Sequence, residues 1–325
     1  MEGGSGEVRD ARTWSGDLLE LLALARRALK DKGESLPPSW PEEALQEIRS
    51  GRYLGLVLVE GTDPRGILVL SPRNHRAFGH VHLLEGTDPS RHGRRLLESL
   101  PSRLPSTVRR ADLTVTVPPP GREEDCWMGL PQPPWGFLRR RELRRSLSPE
   151  DPPDPRELPL GFRFVPVNRV ALPALGALDF AAFQNGPDAG MVAETPADSE
   201  RLLRGLLGND LGRFLPEASP AVEGRPRSSE GGAGPLAGFV LCVEQTSQRA
   251  LVADLAVGPE FRRQGLGEAL LRRSLRALVA LGYREATLWV TDTNEPARRL
   301  YEKLGFQTSR TGLVLHWRRP EPDGP

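Results

Sequence analysis

The sequence predicts a mixed α/β fold organised as two tandem domains, each with a central sheet flanked by helices. Strand-like and helix-like hydrophobic periodicities alternate through the second half of the chain, as in a layered α/β domain. A weaker copy of the same order occurs in the first half. The 325 residues are enough for two domains of ordinary size, each with its own apolar core.

The second half gives the clearer succession of elements. Its predicted strands cover residues 162–167, 237–244, 251–257, 286–291 and 313–317, and its predicted helices cover 172–183, 197–207, 266–281 and 295–304. The third of these helices has Leu271, Leu275 and Leu278 at helical spacing, and Gly282 follows its end. A stretch rich in Gly, Pro and Ser at 216–235 predicts a mobile loop or insertion.

The first half repeats part of this order. Gly93, at the start of a predicted helix, precedes Gly267 by 174 residues, and Ala111, in a predicted strand, precedes Ala286 by 175 residues. The pair Gly136-Phe137 precedes the pair Gly305-Phe306 by a similar 169 residues. Matches in order at nearly constant offsets favour a tandem duplication, with chance similarity in a Leu- and Arg-rich chain as the alternative.

A proline-rich segment separates the two halves. Residues 148–160 contain five prolines among acidic residues, a composition that disfavours both helices and central strands. We therefore predict a first domain at 1–147, a linker at 148–160, a second domain at 161–319 and a tail at 320–325.

The overall composition excludes several classes of partner. The formal net charge is +1, so no general field favours nucleic acid or an anionic membrane. Cys126 and Cys242 are far apart in the sequence, which indicates neither a disulfide framework nor a zinc site. Without an apolar leader or a run of about 18 apolar residues, we expect a cytoplasmic protein with no membrane association. Arginine makes up 41 of the 44 basic residues, which is typical of GC-rich bacterial genomes.

The strongest chemical signal lies where a predicted strand runs directly into a helix. This junction, residues 257–267, reads Val-Gly-Pro-Glu-Phe-Arg-Arg-Gln-Gly-Leu-Gly. The first N–H groups of a helix lack intrahelical partners and the helix dipole is positive there, so the main chain alone can hold an anion. Gly265 and Gly267 leave room for a pyrophosphate, and Arg262 and Arg263 add positive charge.

This junction resembles the coenzyme A signature of the GNAT (GCN5-related) N-acetyltransferase superfamily, Arg/Gln-x-x-Gly-x-Gly/Ala, with Arg262, Gly265 and Gly267 at its fixed positions. The resemblance is dense over 252–306 and includes a second cofactor segment. Its further matches are Val257, Pro259, Asn294, Ala297, Leu300, Tyr301, Leu304, Gly305 and Phe306.

Other readings of the junction are weaker. A Gly-rich turn without a ligand is the structural alternative. A dinucleotide site lacks the third glycine of Gly-x-Gly-x-x-Gly, and a P-loop lacks its Gly-Lys-Ser/Thr.

The resemblance implies that acetyl-coenzyme A (acetyl-CoA) is the acyl donor and that no metal is needed. It places the pyrophosphate on the loop and helix start, and the pantetheine arm on the main chain of the preceding strand. For Asn294, a role as the N-cap of its helix is an equal alternative. The residues so implied are Arg262, Arg263, Gln264, Gly265, Leu266 and Gly267 in the loop, Leu255, Ala256 and Val257 in the strand, and Asn294 and Ala297 in the second segment.

The resemblance also implies two catalytic residues. Tyr301 occupies the position where the family commonly has a tyrosine near the coenzyme A sulfur, and a phenol of pKa about 10 can protonate a departing thiolate. Asp254 lies on the strand from which members often draw a base or a water-positioning carboxylate. The alternatives are a tyrosine that packs its helix on the sheet and a carboxylate that faces solvent or forms a salt bridge.

The first domain departs from the family pattern at the corresponding loop. It has the shortened run Ser90-Arg91-His92-Gly93, and no tyrosine precedes the Trp-Gly-Phe at 135–137. We expect a degenerate, non-catalytic copy that covers the second domain or shapes the acceptor cleft.

The sequence thus predicts an acyltransferase, an N-acetyltransferase that moves an acetyl group from acetyl-CoA to a primary amine of a small molecule by direct attack. A protein or peptide N-terminus, or a lysine, is the first alternative acceptor. A non-catalytic acyl-CoA sensor is an alternative of a different class. Five arginines within 139–145 leave a nucleic-acid binder as a third alternative, which the near-neutral charge disfavours. We expect a monomer or a homodimer.

Overall fold

The chain forms two compact units. The computed structural model describes residues 6–31, 36–73, 75–117, 123–126, 129–131, 134–150, 152–189, 193–224 and 234–320. The N-terminal unit comprises Met1–Arg139 with Gly312–Pro325, and the C-terminal unit comprises Arg140–Thr311. Both units are mixed α/β, as predicted. The domain limits at 147 and 161 stay a prediction, and most of the predicted tail lies outside the described residues.

The sheet of the N-terminal unit has the strand order β1 (Glu7–Asp10), β2 (Leu54–Glu60), β3 (Asp63–Arg73), β4 (Arg76–Leu83), β5 (Arg110–Thr116) and β12 (Gln307–Arg318). Strands β4 and β5 are parallel and pair over 76–82 and 110–116, and residues 314–318 of β12 pair antiparallel with β5. The α-helices of this unit are α1 (Leu18–Asp31), α2 (Trp40–Ser50) and α3 (Arg94–Ser99).

The sheet of the C-terminal unit has the strand order β6-β11-β10-β9-β8-β7. Residues 140–146 of β6 pair antiparallel with β11. The elements of this unit are β6 (Trp135–Ser146), β7 (Phe162–Pro166), α4 (Leu172–Phe183), α5 (Pro196–Leu207), β8 (Pro220–Gly224), β9 (Leu236–Thr246), β10 (Arg249–Val257), α6 (Leu266–Ala280), β11 (Glu285–Thr291), α7 (Glu295–Lys303) and β12 (Gln307–Arg318). Strands β6 and β12 each have residues in both units.

Helices cover both faces of the C-terminal sheet, so its central strands are buried on both sides. Along β9, Val240 and Cys242 join the apolar core beneath α6, whereas Phe239 and Leu241 join the core beneath α4 and α5. This alternation is the period-two pattern of a strand between two layers. Within the described ranges, no helix combines the length and the apolarity needed to cross a membrane.

One strand of the C-terminal unit lies where the sequence analysis predicted a loop. Within the stretch 216–235, Pro216–Ala218 form a 3₁₀ turn and Pro220–Gly224 form β8, where Ala221 and Val222 are fully buried. Residues 225–233 of the same stretch lie outside the described residues. The Gly and Pro content concealed a short strand whose apolar core is only two residues long.

Candidate active site

The signature loop joins the end of β10 to the start of α6. After Val257 the chain makes a short 3₁₀ turn at Pro259–Phe261 and reaches Leu266 through two positive φ angles, 60° at Arg263 and 82° at Gly265. Glycine adopts this left-handed region without strain, whereas other L-residues do so at a cost. The second of these two positions, directly before the helix, is occupied by a glycine, Gly265.

The start of α6 has open main-chain donors. Gly265 occupies the N-cap position and offers no side-chain cap. The first hydrogen bond of the helix runs from the Ala269 N–H to the Gly265 carbonyl oxygen, at 3.0 Å. In the described part of the chain, no acceptor bonds the N–H groups of residues 263–268. These donors and the positive end of the helix dipole suit an anion.

The polar side chains of the loop are used mainly to fix the loop. Arg262 donates to the carbonyl oxygen of Ala182 at the end of α4 and, at 3.4 Å, to that of Val257. Gln264 donates to the Glu260 carbonyl oxygen at 3.4 Å. The predicted contacts of Arg262, Arg263 and Gln264 with the coenzyme stay predictions.

A cation that the sequence analysis missed lies at the same helix start. The Nη2 atom of Arg156 is 2.6 Å from the position that a Cβ on Gly265 would take. The buried Glu268 holds it through an ion pair of 2.6 Å and also binds Lys303 at 2.8 Å and Arg272 at 3.0 Å. Burial alone would raise the pKa of Glu268, but these cations hold that pKa below its ordinary value. A cluster with a net positive charge therefore lies at the N-terminal end of α6.

The edge of β10 that faces β11 is free over its second half. Strands β10 and β11 are parallel and pair at 249–251 with 285–287. Among the described residues, the rest of β10 pairs with β9 alone, and the end of β11 pairs with β6. The main chain of Leu255, Ala256 and Val257 is thus open to an extended ligand that adds to the sheet edge.

A β-bulge in β10 decides where Asp254 lies. Val252 pairs with Cys242 and Asp254 pairs with Leu241, so Ala253 is an extra residue in the ladder. A bulge places two consecutive side chains on one face and redirects the strand. Ala253 and Asp254 accordingly both lie on the face that α4 covers.

Asp254 meets a second carboxyl group there, that of Asp179 on α4. Asp179 is fully buried, and neither of its carboxyl oxygens has a hydrogen-bond partner among the described residues. The Oδ2 atom of Asp254 is buried and likewise lacks a partner there. Burial, and then the neighbouring Asp179, raise the pKa of Asp254 well above its ordinary value. Burial also raises the pKa of Asp179.

Tyr301 lies on α7 and is 8% exposed. Its ring packs against Phe306 with the centroids 5.9 Å apart. Burial, followed by the carboxylates of Asp254 and Asp188, raises the pKa of Tyr301, and Arg140 opposes this effect. The phenol therefore keeps its proton far into the alkaline range, and the structure brings the two predicted catalytic residues into one electrostatic neighbourhood.

Asn294 and Ala297 lie at the start of α7. The Oδ1 atom of Asn294 accepts the Ala297 N–H at 3.3 Å, and its Nδ2 atom donates to Asp188 at 3.2 Å. Thr291 donates its hydroxyl to the other oxygen of Asp188. Both ends of the Asn294 amide are thus engaged in the protein, as the N-cap alternative requires, and a direct coenzyme contact stays a prediction.

Four of the five arginines within 139–145 make contacts inside the C-terminal unit. Arg141 bonds Asp292, Arg144 bonds Glu142 at 3.0 Å, and Arg145 donates to the Leu304 carbonyl oxygen. Arg140 is half-buried and donates to the main chain of β11 at 3.4 Å. These contacts leave little of the run as a free basic patch.

Comparison with known proteins agrees with this geometry. A sequence model of the Acetyltransferase (GNAT) family matches residues 222–306. The mycothiol acetyltransferase of Streptomyces coelicolor is 30% identical to this chain over 278 residues, which are 83% of this chain and 78% of the relative. The chain belongs to the GNAT acetyltransferase family, and the predicted class of enzyme, an acyltransferase, is confirmed.

Two solved structures share the fold over nearly the whole chain. The GCN5-related N-acetyltransferase from Sphaerobacter thermophilus has a TM-score of 0.62 at 16% identity and covers 98% of each chain. The tandem GNAT protein from the clavulanic acid biosynthesis pathway has a TM-score of 0.51 at 16% identity, covering 98% of this chain and 100% of its own. The predicted architecture of two tandem GNAT-like domains is confirmed.

Proposed function

We propose that the C-terminal unit transfers an acetyl group from acetyl-CoA to a primary amine of a small molecule. The observation that carries this proposal is the free edge of β10, which leads directly into the open N-terminus of α6. An extended arm that ends in a pyrophosphate fits a strand edge followed by main-chain anion donors.

The residues proposed to hold the donor act mainly through their main chain. Leu255, Ala256 and Val257 pair with the pantetheine arm as an added strand would. The N–H groups from Arg263 to Gly267 bind the pyrophosphate. Gly265 adds no side chain of its own at this turn, where the Arg156 guanidinium lies.

Two side chains are proposed to move protons. The donor supplies a thioester, whose acetyl carbon the amine of the acceptor attacks directly. Asp254 takes the proton that the amine loses, and Tyr301 gives its phenolic proton to the departing sulfur. General acid–base steps of this kind are typically worth about 10²- to 10⁴-fold in rate.

The acceptor is proposed to be a small molecule. The relative from Streptomyces coelicolor bears the name mycothiol acetyltransferase, which designates a small-molecule substrate for that protein. It covers most of both chains, and this extent favours a related acceptor here over a protein terminus.

The test is an activity screen with the purified full chain. Acetyl-CoA is incubated with a panel of primary amines, and coenzyme A release is followed by thiol titration. Turnover with small amines and not with peptides supports the proposal. Tight binding of acetyl-CoA without turnover on any amine would instead identify a sensor, and turnover on peptides alone would favour the protein-acetylating alternative.

A further inference from the structure

We propose that Asp179 and Asp254 share one proton as a buried carboxyl pair, in which Asp254 faces the substrate side and Asp179 is a positioning residue behind it. The existence of the pair rests on the geometry of the C-terminal unit alone. Its role in proton transfer rests on the function proposed above.

The surroundings of Asp179 require a proton. The side chain is fully buried on α4 among Leu175, Leu178 and Ala182, and α4 contains no other charged residue. An ionised carboxylate without a partner in such an environment costs several kcal/mol. A group in this position therefore carries a proton or shares one with a neighbour.

The polar groups near Asp179 and Asp254 come from α5, α7 and the two elements that carry the pair itself, α4 and β10. Ser199 on α5 is fully buried and lies close enough to affect the proton affinity of Asp179. Asp254 on β10 faces Asp179, and Tyr301 on α7 lies close enough to Asp254 to interact with it electrostatically. Arg262 reaches α4 as well, but it donates to the Ala182 carbonyl oxygen.

Two adjacent carboxyl groups without a compensating cation ionise one after the other, and both are ionised only above the second, raised pKa. The first to ionise stabilises the protonated form of the other, and the pair titrates in two separated steps. Burial and the neighbouring carboxylate both raise the pKa of Asp254, which agrees with one proton held between the two groups. Between these steps the pair carries a single negative charge.

The two members have different access, which divides their roles. Asp254 lies at the bulge, beside the free edge of β10, and its side chain is only partly buried. Asp179 is sealed between α4, α5 and the sheet. When both groups are ionised, the charge of Asp179 behind Asp254 raises the proton affinity of this base toward that of the ammonium group that it must deprotonate. Asp254 then returns the accepted proton to solvent after the acetylated product leaves.

Infrared titration of the full chain tests the pair without any substrate. We expect a carboxylic acid C=O band that persists well above about pH 4, where an ordinary aspartate ionises. Asp179→Asn removes the like charge and offers an amide donor to Asp254, so the band should disappear at a pH lower by about one unit or more. Asp210→Asn, which changes an exposed carboxylate, should leave the band unchanged. Absence of the band in the unmodified protein, or a band unmoved by Asp179→Asn, would overturn the proposal.

Thermal stability gives a second readout with a definite sign. A carboxyl group whose folded-state pKa is raised stabilises the fold below its unfolded-state pKa, and this stability is lost as pH rises through the folded-state pKa. Asp179→Asn should therefore raise Tm relative to the unmodified protein at about pH 8, with a smaller gain or none at about pH 4. Lower Tm at both pH values would mean that Asp179 is a structural acceptor, and the proposal would fail.

The two proposals fail in different ways. If the infrared and stability results hold but no amine is acetylated, the carboxyl pair stands and the proposed function is wrong. If amines are acetylated but the band is absent, the function stands and the pair is wrong. Where both hold, Asp179→Asn should also move the acidic limb of the kcat profile to lower pH, which a purely structural residue would not do.

Discussion

The parallel strand pair β4–β5 of the N-terminal unit and its counterpart β10–β11 in the C-terminal unit differ in the length of their pairing. In the N-terminal unit β4 and β5 pair over seven residues each, whereas in the C-terminal unit β10 and β11 pair over three. Main-chain groups that are engaged in a ladder cannot bind a ligand. The C-terminal unit therefore offers a free strand edge, and the corresponding edge in the N-terminal unit is closed.

The helix starts that follow these strands differ as well. In the N-terminal unit the carboxylate of Asp88 accepts the Ser90 N–H at 3.0 Å and so places a negative charge where an anion would bind. A Cβ on Gly93 would lie 2.5 Å from the sulfur of Cys126, so this glycine serves close packing. In the C-terminal unit a Cβ on Gly267 would make ordinary contacts, 3.5 Å or longer. The same residue type thus permits packing in one unit and leaves an accessible main chain in the other.

The largest expected effect is loss of donor binding in Gly265→Val. The substitution puts a β-branched residue at a φ of 82° and its side chain over the anion site. Acetyl-CoA affinity measured by calorimetry should fall by about 100-fold or more, which corresponds to roughly 3 kcal/mol.

The matched control for this change is Gly282→Val. Gly282 follows the other end of α6 with a φ of 88° and has no described atom within 4 Å of an added Cβ, so the backbone strain is similar. Its affinity for acetyl-CoA should stay unchanged. Equal losses in the two variants would mean that strain in α6, and not the anion site, explains the effect.

An intermediate effect is expected for Tyr301→Phe, which keeps the ring and its packing but removes the proton. Turnover should fall by at least about tenfold, while donor affinity stays nearly constant. Because burial raises the pKa of Tyr301, its phenol should remain protonated, and turnover should show no loss from its ionisation at neutral pH. Tyr283→Phe, at a buried tyrosine that bonds Glu244, is the control and should retain turnover. Full activity in Tyr301→Phe would make this residue a packing residue.

The smallest effect is expected for Arg156→Ala. Its guanidinium lies at the α6 start but is partly exposed, so removing it should weaken acetyl-CoA binding only a few-fold, and more at low salt than at high salt. Arg276→Ala is the control. Arg276 lies farther along α6 and donates to the Pro153 carbonyl oxygen, at 3.0 Å, in the proline-rich segment that also carries Arg156. Tighter binding in Arg156→Ala would show that this side chain obstructs the site.

Much of the fold was accessible from the sequence, since the periodicities around Leu271 and the glycines of the signature loop are local signals. Asp179 could also have been identified from the sequence as an unusual residue, because it is the single charged residue of a helix that is otherwise apolar. Its partner was not, because the bulge that turns Asp254 toward α4 is a property of the ladder with β9. Likewise, nothing local marks Arg156, whose position depends on the folding of a proline-rich segment against Glu268.

The pairing length of parallel strands is the least local of these features. Nothing in the sequence at 76–83 or at 249–257 shows how far each strand stays paired with its parallel neighbour, and only their registers separate a closed ladder from an open edge. The degeneracy of the first domain was inferred from the missing loop residues around Ser90 instead. Its loss of donor binding stays a prediction, now supported by the closed strand pair.

The most direct test of the difference between the units is the stoichiometry of acetyl-CoA binding to the full chain. Equilibrium titration should give one donor per chain in the unmodified protein and none in Gly265→Val. Two donors per chain, or one donor that survives Gly265→Val, would place a binding site in the N-terminal unit and contradict the account.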